Sequence, residues 1–257
     1  MKQAASVFFI GVLLCGGIAH AVETRVVVTA RARDAKFIGT SMGGALVVIR
    51  DSATGELLKK GMIAGETGST KKMLQEPLKR GEALSDAVSA KFETVLDLEE
   101  PRLVTIEVQA PYGQKQSMIK AATQAWLIPG KDMAGAGDGI MLEIPGFSVD
   151  VLAPQAHEKM QLQNGAARID IRANVMLMCG CPVEPGGVWD AKNYEVTALV
   201  KRNGAALMGV PMRYAGKIST FAGSFDAVDP GFYEICVYAY APQTGNTGVD
   251  TTTIVVQ

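Results

Sequence analysis

Strand-length apolar segments, each cut off by Gly or Pro, run along almost the whole chain, and this constrains the fold more than any other feature. Residues 25–33 (RVVVTARAR) alternate towards their end, and residues 44–50 (GALVVIR) form a short β-branched run closed by the turn 51–55 (DSATG). Further strand candidates are 92–98, 103–109, 118–128 and 140–144. Each is bounded by turn residues: Pro101, Pro111 with Gly113, Pro129 with Gly130, and Pro145 with Gly146. The second half adds 147–152, 167–178, 194–201, 232–240 and 251–256. Strands recurring about every 10–15 residues, with no intervening helical periods, predict an all-β chain of antiparallel sandwiches rather than a βαβ fold.

Only residues 70–90 have helical character, and Pro77 and Gly81 interrupt them, so at most a short helix or an ordered loop is expected there. Its cluster Lys71, Lys72, Lys79 and Arg80 reads as a solvated face, partly neutralised by Glu76 and Glu82. No aromatic residues interleave with these charges, so it is not a nucleic-acid surface. The strand 147–152 is followed by a polar stretch, 155–165, which places a domain boundary at Pro145-Gly146. The expected organisation is a signal peptide over 1–21, one β-sandwich over 22–145 and a second over 146–257, roughly 125 and 110 residues, both ordinary sizes.

The N-terminus carries Lys2, an apolar run from Val7 to Leu14, and Ala19-His20-Ala21. The run is too short to span a bilayer, and the small-x-small ending fits signal peptidase, so a cleaved secretory signal is expected. A lipoprotein signal would use Cys15, but Leu14 stands where a small residue is wanted. Cleavage removes one of the 4 Cys and one of the 2 His, and no later apolar run is long enough for a membrane span. The mature protein is therefore expected to be soluble and periplasmic or secreted. A net charge of −1 provides no global field for gripping nucleic acid or anionic lipid. The single remaining histidine, His157 beside Glu158 in a polar loop, supplies no Ser-His-acid or Cys-His set.

Asp229-Pro230-Gly231-Phe232-Tyr233 leads into the strand through Cys236 to Tyr240, followed by a turn at 243–248 and a last β-branched strand. This half resembles bacterial immunoglobulin-like β-sandwich domains. More loosely, residues 44–49, the turn 51–55 and a return strand through Met62 to Gly65 resemble transthyretin-like, carboxypeptidase regulatory-like modules. Both resemblances imply a fold and no catalytic residues, since such sandwiches host adhesion, binding and structural roles.

The unusual motif is Met176-Leu177-Met178-Cys179-Gly180-Cys181-Pro182 at a predicted strand end. Soft sulfur donors suit monovalent copper. A metal site could be assembled from Cys179, Cys181, Cys236, Met176 and Met178, with Met208 and Met212 later in the same half. The preferred reading of the cysteines is a structural disulfide, as exported compartments favour. The immunoglobulin-like resemblance implies a bridge from Cys236 to Cys179 or Cys181, and a Cys179–Cys181 bridge is the other possibility. Three cysteines leave one thiol unpaired.

The remaining candidates are weaker. Residues 65–71 lack the spacing of a phosphate-binding loop, and 135–139 do not open a helix as a dinucleotide motif requires. Asp132 and Asp138 lack EF-hand spacing. Phe221, Phe225, Phe232, Tyr233, Tyr238 and Tyr240 crowd the last third, with Cys236, Tyr238 and Tyr240 on one strand face. Together these features predict an exported, non-catalytic binding or accessory protein of the bacterial envelope with no bound cofactor, its partner another envelope protein or surface component. The alternatives are copper binding or delivery, and a structural subunit of an envelope assembly or filament.

Overall fold

The structure, a computed structural model, describes residues 20–257, so all but the last two residues of the expected signal peptide lie outside it. The protein is all-β. Its first half contributes β1 (Val22–Ala32), β2 (Ala45–Asp51), β3 (Leu57–Ile63), β4 (Phe92–Leu98), β5 (Arg102–Ala110), β6 (Ile119–Leu127) and β7 (Ile140–Ile144). These form a three-stranded sheet, β4-β1-β7, and a four-stranded sheet, β3-β2-β5-β6. The second half contributes β8 (Phe147–Ala153), β9 (Glu158–Met160), β10 (Ala167–Leu177), β11 (Glu195–Arg202) and β12 (Ala205–Pro211). It continues with β13 (Arg213–Tyr214), β14 (Thr220–Ala227), β15 (Gly231–Tyr240) and β16 (Thr247–Val256). Their sheets have the orders β13-β14-β10-β8 and β12-β11-β15-β16-β9.

The second half has the immunoglobulin-type split, with β8, β10 and β14 on one sheet and β11, β15 and β16 on the other. Alternation decides which face is buried. On β10, Ile169, Ile171, Ala173 and Val175 point inward, and on β15 so do Tyr233, Ile235, Val237 and Ala239. Tyr233 is buried and donates its hydroxyl to the Asp229 carbonyl at 2.8 Å, the tyrosine corner of such domains.

Two strand pairings depart from the antiparallel expectation: β1 with β7, and β16 with β9, are parallel. In each case the chain returns to a sheet edge after a long excursion, which a hairpin cannot do. In residues 70–90 the helical character comes to one π-helical turn, Lys71–Gln75.

No sheet mixes strands from the two sides of Pro145-Gly146, yet the buried side chains form one contiguous cluster across that junction. Asn246 ties the joint. Its Oδ1 accepts from the Gly146 N–H at 2.8 Å and its amide nitrogen donates to the Arg33 carbonyl at 3.1 Å. Trp189 Nε1 donates to the Asp34 carbonyl at 2.9 Å. The Ser117 hydroxyl accepts from the Val149 N–H at 3.1 Å, and Gln116 donates to Asp150.

Trp189→Ala therefore opens a cavity at the joint and should cost about 3–5 kcal/mol in denaturant unfolding. Trp189→Phe, losing mainly the hydrogen bond, should cost about 1 kcal/mol. Burial, with Asp250 adding to it, pushes the Asp150 carboxyl above its ordinary range. A raised carboxyl favours the fold at low pH and loses that advantage as pH rises through its folded value. Asp150→Asn should accordingly raise the melting temperature at pH 7, with the gain disappearing as pH falls towards about 4.

Candidate functional site

The Met-Cys-Gly-Cys segment turns the chain immediately after β10. Gly180 has φ +76° and its N–H donates to the Leu177 carbonyl at 2.8 Å, folding Cys179 and Cys181 towards each other. The two are joined in a disulfide with their Cα atoms 5.4 Å apart. Both are buried, as is Met178. A Cβ on Gly180 would lie 2.8 Å from Met42 Sδ, so the turn is pressed against the first half of the chain. Met176 is half-buried on β10, one position before the strand ends.

Cys236 does not pair with either cysteine. Its neighbours Ile235 and Val237 occupy the inward positions of β15, which puts Cys236 on the outward face with its thiol free. The bridge implied by the immunoglobulin-like resemblance is thus corrected by phase: one residue along a strand exchanges faces. Cys179 and Cys181 are bonded to each other, and Met176 and Cys236 lie on the outward faces of different sheets. Among the described residues no three His, Cys, Asp or Glu side chains are grouped so as to hold a metal ion.

Cys236 belongs instead to a broad outward surface. Cross-strand register sets Cys236 beside Leu199 and Thr251, and Tyr238 beside Thr197 and Val249. Leu199, Phe232, Tyr240 and Val249 are exposed on this sheet. Its charges are held in pairs, Lys201 with Glu234 at 2.9 Å and Arg202 with Asp229. Tyr238 donates to Glu195, which holds its phenol above the ordinary value. Tyr194, on the strand approach, is pushed up to about 12 by burial, with Asp34 and Asp190 adding.

This sheet ends in β12, whose sequence AALMGVP holds no charged residue; all but Val210 are exposed. It is created by the two-residue hairpin Asn203-Gly204, with φ +48° and +83°, which registers Arg202 against Ala205. One side of β12 pairs with β11, and among the described residues no strand lies on the other. Several other edges are blunted: β3 carries Lys59 and Lys60, β4 carries Glu93 and Asp97, and β9 and β13 are very short. Strand reading from apolar alternation passed over β12, although Asn-Gly before an uncharged run is a hairpin signal.

The other sequence candidates are structural. His157 is exposed, and its backbone N–H donates to Thr253 at 2.7 Å. Asp138 accepts from the Leu84 and Ser85 N–H groups at 2.7 and 2.8 Å, and Asp132 from the Arg25 N–H at 3.0 Å. Lys71 and Lys79 pair with Glu76 and Glu82 at 3.2 and 3.5 Å around a cavity of about 830 Å³. Phe221, Phe225 and Tyr233 are core, whereas Phe232, Tyr238 and Tyr240 face outward.

No family model and no curated protein matches the chain. Among solved structures, it is similar to the fibronectin(III)-like modules of CbhA from Clostridium thermocellum, with 12% identity, 91% of this chain and 94% of that chain covered, and a TM-score of 0.29. It is also similar to the tip fimbrial protein Mfa3 from Porphyromonas gingivalis, with 10% identity, coverage of 89% and 81%, and a TM-score of 0.29. An engineered protein matches at 16% identity and a TM-score of 0.29 over 48% of this chain; the match spans about a quarter of that protein's length, 23%. At such scores the architecture rests on the sheets described above. No helix among the described residues is long and apolar enough to cross a membrane.

In the native protein Cys236 should be the one cysteine of residues 22–257 that reacts with a thiol reagent, Cys179 and Cys181 joining it only after reduction and unfolding. Gly180→Ala should destabilise by about 1–3 kcal/mol, combining the left-handed conformation with displacement of Met42.

Proposed function

We propose that the chain is an exported, non-catalytic binding protein of the bacterial envelope that holds a partner protein by strand addition to β12. The observation that carries this reading is a charge-free edge beside an apolar, aromatic sheet face. Edge strands in soluble proteins are normally protected against such pairing. A strand added to a bare edge gains main-chain hydrogen bonds along its length, while alternate side chains supply specificity. Leu207 and Met208 of β12 are exposed, with Leu199 on the adjoining strand β11, and a docked segment would rest its own apolar side chains beside them. The N-terminal secretory pattern supports the envelope location.

The test is site-specific photocrosslinking from position 207 in cells, with the purified protein as a parallel sample. A discrete heteromeric product is expected in cells, and Leu207→Lys with Met208→Lys should reduce it at least about tenfold, the equivalent of 1.4 kcal/mol, without changing the melting temperature. A product formed equally by the purified protein alone would replace the accessory reading with self-assembly. An unchanged product in the double lysine variant would remove β12 from the interface.

A further inference from the structure

A second edge carries a different kind of surface. β6 is the last strand of the sheet β3-β2-β5-β6, and its outward positions include Gln124 and Trp126. Trp126 is 60% exposed, an unusual placement for the residue with the largest apolar area. Register sets it against Leu103 and sets Gln124 against Thr105. The neighbouring turn after β2 closes a cleft of about 530 Å³ between Trp126, Arg102, Glu100 and Thr54. That volume is within the range of small-molecule sites.

The polar groups of this cleft are held in place before any ligand arrives. Ser52 Oγ lies 2.8 Å from Thr105 Oγ1, and the Gln124 amide nitrogen donates to both, at 3.3 and 3.2 Å. Asp51 Oδ1 accepts from the Ala53 and Thr54 N–H groups at 2.9 Å each, which fixes the turn. Arg102 Nη1 sits between Asp51 and Glu56, 3.9 and 3.7 Å from their carboxylates. One flat aromatic ring is therefore bordered by a planar guanidinium, a primary amide, hydroxyls and a free carboxylate.

This combination suits the chemistry of a sugar. A pyranose presents an apolar C–H face on one side, suited to the negative face of an indole, and a rim of hydroxyls that both donate and accept. A purely apolar ligand would make no use of the Gln124, Arg102 and Glu100 polar groups at the rim. An anionic ligand would meet Glu56, Glu100 and Asp51 against the single Arg102. We infer that the cleft between β6 and the turn 51–56 binds a neutral saccharide, with Trp126 as the stacking platform and Gln124, Arg102 and Glu100 as hydroxyl partners. This site is separate from β12 and does not depend on the function proposed for that edge.

Tryptophan emission gives the test directly, because the only other tryptophan, Trp189, is 6% exposed. The full-length mature protein is titrated with maltotetraose, cellotetraose and chitotetraose, and with tetragalacturonic acid as the anionic comparison. Calorimetry runs in parallel. At least one neutral tetrasaccharide should shift the emission saturably, with the same Kd by both methods. Trp126→Ala should weaken it at least about tenfold. Trp126→Phe, which keeps a smaller ring, should fall between the two. Gln124→Ala should weaken it about threefold, and all three variants should keep the parent's melting temperature within about 2 °C. The inference is overturned if no neutral tetrasaccharide binds more tightly than about 10 mM, a Kd equivalent to less than 3 kcal/mol. It is equally overturned if the anionic sugar alone binds, or if Trp126→Ala leaves the affinity unchanged.

Discussion

A β-sheet has to satisfy two requirements at once, an apolar face that must be covered and two rims of backbone N–H and C=O groups that must be paired, solvated or shielded. Faces in this protein are covered by pairing sheets. The rims are handled one by one. β9 caps β16 with three residues, and β7 returns in parallel to cap β1. After Pro211 the chain leaves its sheet, and β13 pairs with β14 of the opposite one. Lysines guard β3 and carboxylates guard β4. β12 carries none of these devices and β6 carries only Lys120, and the two proposed binding surfaces lie on them. Both proposed surfaces lie where the fold leaves a sheet edge uncovered.

The joint between the halves determines how those edges are presented. A buried asparagine makes directional bonds to the backbone on both sides of Pro145-Gly146, and leaving any of them unmade would cost the desolvation of a buried polar group. The Met-Cys-Gly-Cys turn belongs to the same joint. Its glycine lets Met42 of the first half approach to contact, and its two cysteines are joined to each other at that approach. The segment richest in soft donors is thus committed to shape. Because apolar side chains run on through the junction, a load on one edge is borne by a packed interface and not by a free linker.

Much of the architecture was legible because inward and outward positions alternate. Residues 92–98 and 140–144 coincide with β4 and β7, and most other strands differ from their sequence-based bounds by a residue or two. β12 and β14 were hidden for a physical reason: AALMGVP and TFAGSFDA contain Gly, Ala and Ser in place of the β-branched residues that mark strands, and they are strands because their neighbours supply the ladder. Cys236 shows the other limit. The immunoglobulin-like resemblance implied an inter-sheet bridge from its strand, but the inward position there belongs to Ile235, and phase decides. Trp126 carried its signal openly, as a tryptophan two residues from a glutamine at a strand end, yet exposure is a property of the sheet's order, which no local pattern contains.

An uncharged edge invites indiscriminate pairing, so the local geometry of β12 has to limit what it accepts. Three features do this. The register against β11 shifts between Val200 and Lys201, and such a bulge twists the edge away from the flat geometry that aggregation requires. Val210 is drawn into the core and Gly223 of β14 lies against Val210 and Pro211, which leaves the bare stretch at residues 205–209, too short for an extended cross-β contact. Gly209 leaves a notch beside Thr197 and Leu199, whose methyl groups stand 3.7 and 3.9 Å from where its Cβ would be. A short, twisted edge with one notch admits a segment whose side chain fits at that position and penalises those that do not. Specificity at this edge therefore comes from shape, which suits a strand that carries no charge of its own to discriminate with.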